Sequence, residues 1–179
     1  MGAIVPSSRH LACRMVDGVD LRSGTRIVEF GPGTGAFTSV IARRLPPGGR
    51  YLGIERDPVF IATLESRWPA LEFAHDSVEN LIPIAESRGL LPVDGIISGL
   101  PFASLPRTVT LPVLDAVHRA LRPGGTFTTF QYVQAYPLPA ARAFRSEMGR
   151  RFGRPIGRRL VFRNIPPAFV LSWRKEGGS

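Results

Sequence analysis

Gly31, Gly33 and Gly35 occupy alternate positions in "VEFGPGTG", directly after a β-branched apolar string and directly before a helical pattern. Glycines so placed let the backbone turn tightly and approach a ligand with no Cβ in the way. The spacing G-x-G-x-G departs from the dinucleotide pattern G-x-G-x-x-G, and the lysine of a P-loop is missing, so neither pyrophosphate nor triphosphate is favoured. A nucleoside fits better. Glu55 ends "RYLGIE", 24 positions after Gly31, where an acidic side chain can accept hydrogen bonds from both hydroxyls of a ribose. Asp76, after "LEFAH", can accept from the exocyclic amine of an adenine. Taken singly, each residue has a plainer reading: glycine for turning, Glu55 as a solvated loop charge, Asp76 or Ser77 as a helix cap. Standing in order at the ends of three successive strands, they favour an adenosine ligand.

The elements that must position these residues follow a β-then-α rhythm. Strands are expected at 26–30, 50–55, 71–75, 93–99 and 125–133, and helices at 8–16 (capped by Ser7) and near 36–45, 58–67, 77–88 and 111–121. The last of these has Pro112 in its first turn and "RPGG" just past its end, the proline-in, glycine-out asymmetry, with Leu114, Val117 and Leu121 on one face. Beyond residue 137 the pattern changes. Residues 138–152 read as a basic amphipathic helix with Ala141, Phe144, Met148 and Phe152 on one side and Arg142, Arg145, Arg150 and Arg151 around them. "RRLVFR" (158–163) and "AFVLSWRK" (168–175) follow as two antiparallel strands. The expected architecture is α/β: a doubly wound, mostly parallel seven-stranded sheet with an antiparallel C-terminal edge, in a single domain over 1–179. Ligands of such sheets sit at the carboxyl ends of the strands.

Composition narrows the function classes. One cysteine, Cys13, excludes an internal disulfide framework and a multi-thiolate metal site, and suits a reducing compartment. No His, Cys and carboxylate cluster has metal-ligand spacing, so no metal is expected. No apolar run approaches the roughly 20 residues of a membrane span, nor a signal-peptide core. The formal charge of +9 is lopsided: residues 140–179 hold 10 Arg or Lys against Glu147 and Glu176, whereas the rest is nearly balanced. Such a basic tail points to an anionic partner, nucleic acid or lipid headgroup.

"VEFGPGTG", "GIERDP", "HDSVEN", "IISGLPF" and "ALRPGGTF" resemble, in order, the motifs of the class I S-adenosylmethionine-dependent methyltransferases, whose fold is Rossmann-like. Within that group, "GAIVPSSRHLA", "SGLPFASLP", "TFQYVQAYPLP" and "RNIPPAFV" resemble the small bacterial phospholipid N-methyltransferases that act on phosphatidylethanolamine, with phosphatidylcholine as the final product. The resemblance covers nearly the whole chain. It implies S-adenosylmethionine as cofactor and S-adenosylhomocysteine as product. It places Ser7 and Ser8 near the methionine part, Glu29 beneath the glycine loop, and Gly31, Gly33, Thr34, Gly35, Glu55, Arg56, Asp76, Ser77 and Ser98 around the remainder. Gly99, Leu100, Pro101, Phe102 and Arg158 are the implied substrate contacts. With the single cysteine, the lack of an apolar span and the basic tail, a cytoplasmic protein peripheral to the inner, anionic face of the cell membrane is expected, as a monomer.

Those enzymes are similar to the ribosomal RNA adenine dimethylases, which supply the competing expectation, adenine N6-methylation. In the dimethylases an asparagine before Leu-Pro-aromatic grips the target amine; here that place is Gly99. A flipped base needs polar contacts to its edge, so RNA is disfavoured, although Phe102 could stack and Ser98 could partly substitute. Methyl transfer to an amine is an in-line displacement whose main demand is positioning. A primary alkylammonium, with a pKa near the roughly 10.4 of lysine, must first shed a proton. Tyr132 and Tyr136 of "QYVQAY" are the candidates to accept that hydrogen bond or to hold the ammonium by cation-π attraction, on the order of 1–2 kcal/mol when desolvated; packing is the equal alternative. His10 and His118 lie away from the motifs, and His75, which adjoins Asp76, is read as structural. A third class, a basic nucleic-acid or membrane binding module on the same scaffold, requires no cofactor.

Overall fold

The computed structural model describes residues 8–177; the proposed roles of Ser7 lie outside that span. Seven strands, β1 (Arg26–Phe30), β2 (Arg50–Glu55), β3 (Glu72–His75), β4 (Val93–Ser98), β5 (Leu121–Tyr132), β6 (Gly157–Val161) and β7 (Ala168–Arg174), form one sheet in the order β3-β2-β1-β4-β5-β7-β6. The first five pair in parallel, and β7 runs antiparallel to both β5 and β6. This is the expected doubly wound sheet with its antiparallel edge. Strand order reverses between β1 and β4, which places a crevice at their carboxyl ends.

Among the described residues six α-helices cover the sheet: α1 (Arg9–Val16), α2 (Thr38–Arg44), α3 (Pro58–Arg67), α4 (Leu81–Ser87), α5 (Arg107–Ala120) and α6 (Pro139–Phe152). Alternation along the strands sends side chains to two cores. One joins Ile27, Tyr51 and Ile97 to Leu11, Met15, Val40 and Ile41 of α1 and α2. The other joins Val28, Phe30 and Ile96 to α4, α5 and α6, where Phe144, Met148 and Phe152 pack with Phe127 and Trp173. The apolar side of α6 is therefore spent on the sheet. No helix among the described residues is long and apolar enough to cross a membrane.

Four local details differ from the sequence reading. The hydroxyl of Ser8, one residue after the expected cap, accepts from Leu11 N–H at 3.2 Å to start α1. Residues 33–37 are turn, so α2 begins only at Thr38, because Gly31, Gly33 and Gly35 all take positive φ (62°, 54° and 82°) that no helix accommodates. The 77–88 segment divides into a 3-10 turn capped by Ser77 and then α4. Finally, α5 starts at Arg107, straight after Pro106, so Pro112 is inside the helix. The helix stops at Leu121, which already pairs with Val93. The register then shifts before Gly95 meets Thr126, making "RPGG" a bulge in β5: Pro123 has no N–H for the ladder, and Gly124 sits at φ 78°.

Candidate active site

Parallel pairing brings three chain reversals side by side. Gly31 N–H donates to Ile54 C=O (2.9 Å) and Asp76 N–H to Glu55 C=O (3.0 Å), so the loops after β1, β2 and β3 form one rim. Across it, the Glu55 carboxylate accepts from Gly33 N–H at 3.0 Å with one oxygen and from Arg56 and Asp57 N–H at 2.8 and 3.0 Å with the other. The half-buried carboxylate is thus oriented by backbone and retains lone pairs for further donors. Asp76 accepts from Ser77 N–H (2.6 Å) and the Asn80 amide (2.8 Å). The Asn80 side chain, then the Ser77 N–H, hold its carboxyl below the usual range. Thr34 and the Arg56 side chain are exposed at the rim, and Arg56 C=O meets His75 Nε2 at 3.1 Å.

The glycines differ in what they make room for. A Cβ at Gly31 would stand 2.8 Å from Leu100 Cδ2, and one at Gly35 only 2.4 Å from the Trp68 ring, so both are closely packed by side chains. A Cβ at Gly33 would find nothing nearer than Gly31 C=O at 3.9 Å, leaving that backbone open to a ligand. An open backbone turn beside an oriented carboxylate, with a second carboxylate one strand along, suits a nucleoside: hydroxyl donors for Glu55, an amine donor for Asp76.

Beneath the loop, Glu29 is fully buried. Its Oε2 accepts from Tyr51 OH (2.7 Å) and Thr38 Oγ1 (2.9 Å), while Oε1 has no partner. Burial pushes its pKa up to about 7, against the lowering effect of those two hydroxyls. Burial, and then the neighbouring Glu29 charge, push the Tyr51 phenol up as well. Glu29 therefore serves as a buttress joining β1, β2 and α2.

The other lip of the crevice is "SGLPF". Gly99 N–H donates to Phe30 C=O at 2.9 Å, and Leu100 N–H to the buried Ser98 hydroxyl at 3.2 Å. A Cβ at Gly99 would lie 3.0 Å from Gly31 C=O and 3.4 Å from Phe30 C=O. Pro101 is exposed, but Phe102 is not on the rim: its ring stacks on Phe144 (centroids 5.0 Å, 16°) and meets Phe127 edge-on. That corrects its expected substrate contact, because the packing of α6 takes up both the ring and its space.

The two tyrosines part company across the sheet. Tyr132, half-buried, continues an edge-to-face run through Phe130 to Phe37, whose ring borders Gly99. Tyr136 packs on the α6 side against Phe169. The Arg145 guanidinium covers its ring at 3.7 Å, and its hydroxyl accepts from Arg158 at 3.4 Å. With that face occupied, Tyr136 cannot cage an ammonium there; it instead holds two arginines, and Arg145 is further fixed by Gln131 at 2.6 Å.

Sequence reasoning missed Tyr51 and Thr38 as partners of Glu29. A lone acid in "RIVEF" demanded a buried donor, and parallel register makes "RYLGIE" the neighbour that supplies one. It also missed Asn164, whose buried amide accepts from Ser8 N–H (2.9 Å) and donates to Pro166 C=O (2.7 Å). A cavity of about 740 Å³ opens at the opposite end of the sheet, among Arg14, Asp17, Asp94, Arg122 and Arg174, and shares none of these residues. Among the described residues no cluster of three His, Cys, Asp or Glu could hold a metal.

Residues 28–127 match the family model described as "Methyltransferase domain". The chain is 31% identical over 171 residues to the ornithine lipid N-methyltransferase of Singulisphaera acidiphila, covering 94% of this chain and 85% of that protein. It is 32% identical over 111 residues to the ribosomal RNA small subunit methyltransferase A of Geobacter metallireducens, which covers 60% of this chain and 38% of the relative. Among solved structures, the N-methyltransferase NodS of Bradyrhizobium japonicum in complex with S-adenosyl-L-homocysteine superposes with a TM-score of 0.72 at 15% identity, over 94% of this chain and 86% of that one.

Proposed function

The chain belongs to the methyltransferase-domain family of S-adenosylmethionine-dependent enzymes, and from that premise we propose that it methylates the amine of a membrane amino lipid. Phosphatidylethanolamine and ornithine lipids are the two candidate headgroups, the first from the sequence resemblance and the second from the relative of nearly equal length. The cofactor supplies an electrophilic methyl group on a sulfonium. On the protein side, Glu55 accepts from the ribose hydroxyls, Asp76 from the adenine amine, and the open backbone at Gly33 permits close approach. The observation that carries the site is the shared rim: Gly33 N–H and Asp76 N–H both bond to Glu55, so the three strand ends address one ligand.

Acceptor chemistry needs a neutral amine held in line. Tyr132, on the Phe37–Gly99 side of the sheet, is the proposed acceptor of a hydrogen bond from the substrate ammonium, whose proton leaves to water before the lone pair attacks. Arg158, on Tyr136, answers the anionic part of a headgroup. Adenine methylation in ribosomal RNA is the second reading, supported by the shorter match to the Geobacter protein. It is weakened at Gly99, which has no side chain to grip a base and, with Gly31 C=O 3.0 Å from its would-be Cβ, little room for one.

The test is direct. Methyl-labelled cofactor is incubated with vesicles containing each amino lipid and, separately, with ribosomal RNA. Labelled lipid is expected; label found only in RNA overturns the lipid reading.

A further inference from the structure

Four of the exposed large apolar side chains gather at the crevice end of the antiparallel edge. Because β6 runs parallel to β5, its last residue Val161 and the hairpin 162–167 lie at the same end as the glycine loop. Phe162 and Ile165 in that hairpin are 75% and 82% exposed; Val133 and Leu138, in the segment after β5, are 37% and 52% exposed. The two segments touch, since Val133 N–H donates to Pro167 C=O at 2.9 Å. Beside them a groove of about 670 Å³ runs between α1 and β6, with Cys13, Leu160 and Phe162 in its wall and Arg9 and Arg163 at its margin.

Cations lie beside them. Arg9 and Arg163 share the groove with Phe162, Arg158 donates to the Tyr136 hydroxyl, and Arg142 stands one helical turn after Leu138; like several arginines elsewhere, these four have no carboxylate within 4.0 Å among the described residues. The basic helix α6, by contrast, has its last-turn cations committed: Arg150 and Arg151 pair with Glu147, and Arg151 also with Asp115. Exposed apolar side chains that gather on two touching segments, unlike single ones, mark interaction surfaces. Apolar tips beside uncompensated arginines match a bilayer with anionic headgroups, the cations meeting phosphates while the tips enter the acyl boundary.

We propose that the β6–β7 hairpin, with Val133 and Leu138, is the membrane-docking surface, and that it seats the crevice directly on an anionic bilayer. The proposal rests on the amino-lipid reading for its purpose, although vesicle binding can be measured without any methyl transfer. The test compares the wild type with Phe162→Ser/Ile165→Ser and, on α6, Arg150→Ser, in flotation assays with vesicles of amino lipid and anionic lipid and no cofactor present. Because both hairpin side chains are mostly in water, the double variant should fold and melt as the wild type does. It is expected to partition at least tenfold less, and to lose methylation of vesicle lipid by the same factor while methylating a dispersed short-chain amino lipid normally. Arg150→Ser should partition as the wild type. Equal partition of the double variant and wild type, a wild type that ignores vesicles, or a greater loss from Arg150→Ser overturns the proposal. So does a hairpin substitution that only abolishes self-association, which assigns the patch to a second copy of the chain. A wild type that docks through the hairpin yet labels no lipid refutes the substrate reading and leaves the docking surface standing.

Discussion

The two ends of the sheet hold their carboxylates in opposite ways. Where the parallel strands begin, each aspartate holds a guanidinium: Asp17 those of Arg14 and Arg44, Asp20 that of Arg22, Asp94 that of Arg122. A wide cavity opens there, and those paired aspartates line it together with Arg159 and Arg174. Where the strands finish, the carboxylates of Glu55 and Asp76 are held by backbone and amide donors, and Arg9, Arg142, Arg158 and Arg163 are left without acids. Cavity volume is thus a poor guide in this fold. The informative end is the one whose charges are held in place but not neutralised.

Breaking the finishing end should have the largest consequence. Glu55→Ala removes the acceptor we propose for two ribose hydroxyls, and charge-assisted bonds of this kind are worth about 1.5–3 kcal/mol each. Cofactor affinity by calorimetry should fall about 100-fold or more, with Glu55→Gln intermediate because it keeps one acceptor oxygen. An unchanged dissociation constant would remove Glu55 from the site.

Next comes a pH dependence. The folded-state pKa of Glu29, about 7, lies above its ordinary 4.5. The folded chain therefore keeps a proton that the unfolded chain has already released, and stability falls as pH rises from about 4.5 to 7. A shift of that size corresponds to about 3 kcal/mol across the window. Glu29→Gln should flatten this slope in denaturant titrations; a slope that survives the substitution assigns it elsewhere.

A smaller effect separates the two lips of the crevice. Gly99→Asn presses on Gly31 C=O, and displacing the loop by a few tenths of an ångström should weaken cofactor binding about tenfold. If the variant instead gains activity on ribosomal RNA, the amino-lipid reading loses its main structural support.

The smallest belongs to the beginning end. Asp94→Ala unpairs Arg122 and the Arg26 N–H, costing about 1–2 kcal/mol of stability with no change in cofactor affinity. A change in affinity would mean that the two ends are coupled after all.

Much of this contrast was legible in the sequence. Glycine at alternate positions, Glu55 and Asp76 each stand at a strand end, and strand ends are where period-two patterns stop, so local reading sufficed. What failed depended on distant partners. Phe102 looks like a stacking platform until α6, more than thirty residues on, is packed against it. Tyr136 looks like an ammonium cage until Arg145 covers its face. The basic helix expected over 138–152 shows its arginines in the sequence, and only the positions of Glu147 and Asp115 reveal which of them are paired. Pro112, likewise, reads as the first turn of a helix, whereas α5 already starts at Arg107, straight after Pro106.

Asn164 links the hairpin to the first turn of α1 through a single amide, accepting from Ser8 on one side and donating to Pro166 on the other. Unseating Asn164 would leave the Ser8 N–H and the Pro166 C=O without their partner at once, so the entrance to α1 and the turn into β7 depend on the same side chain.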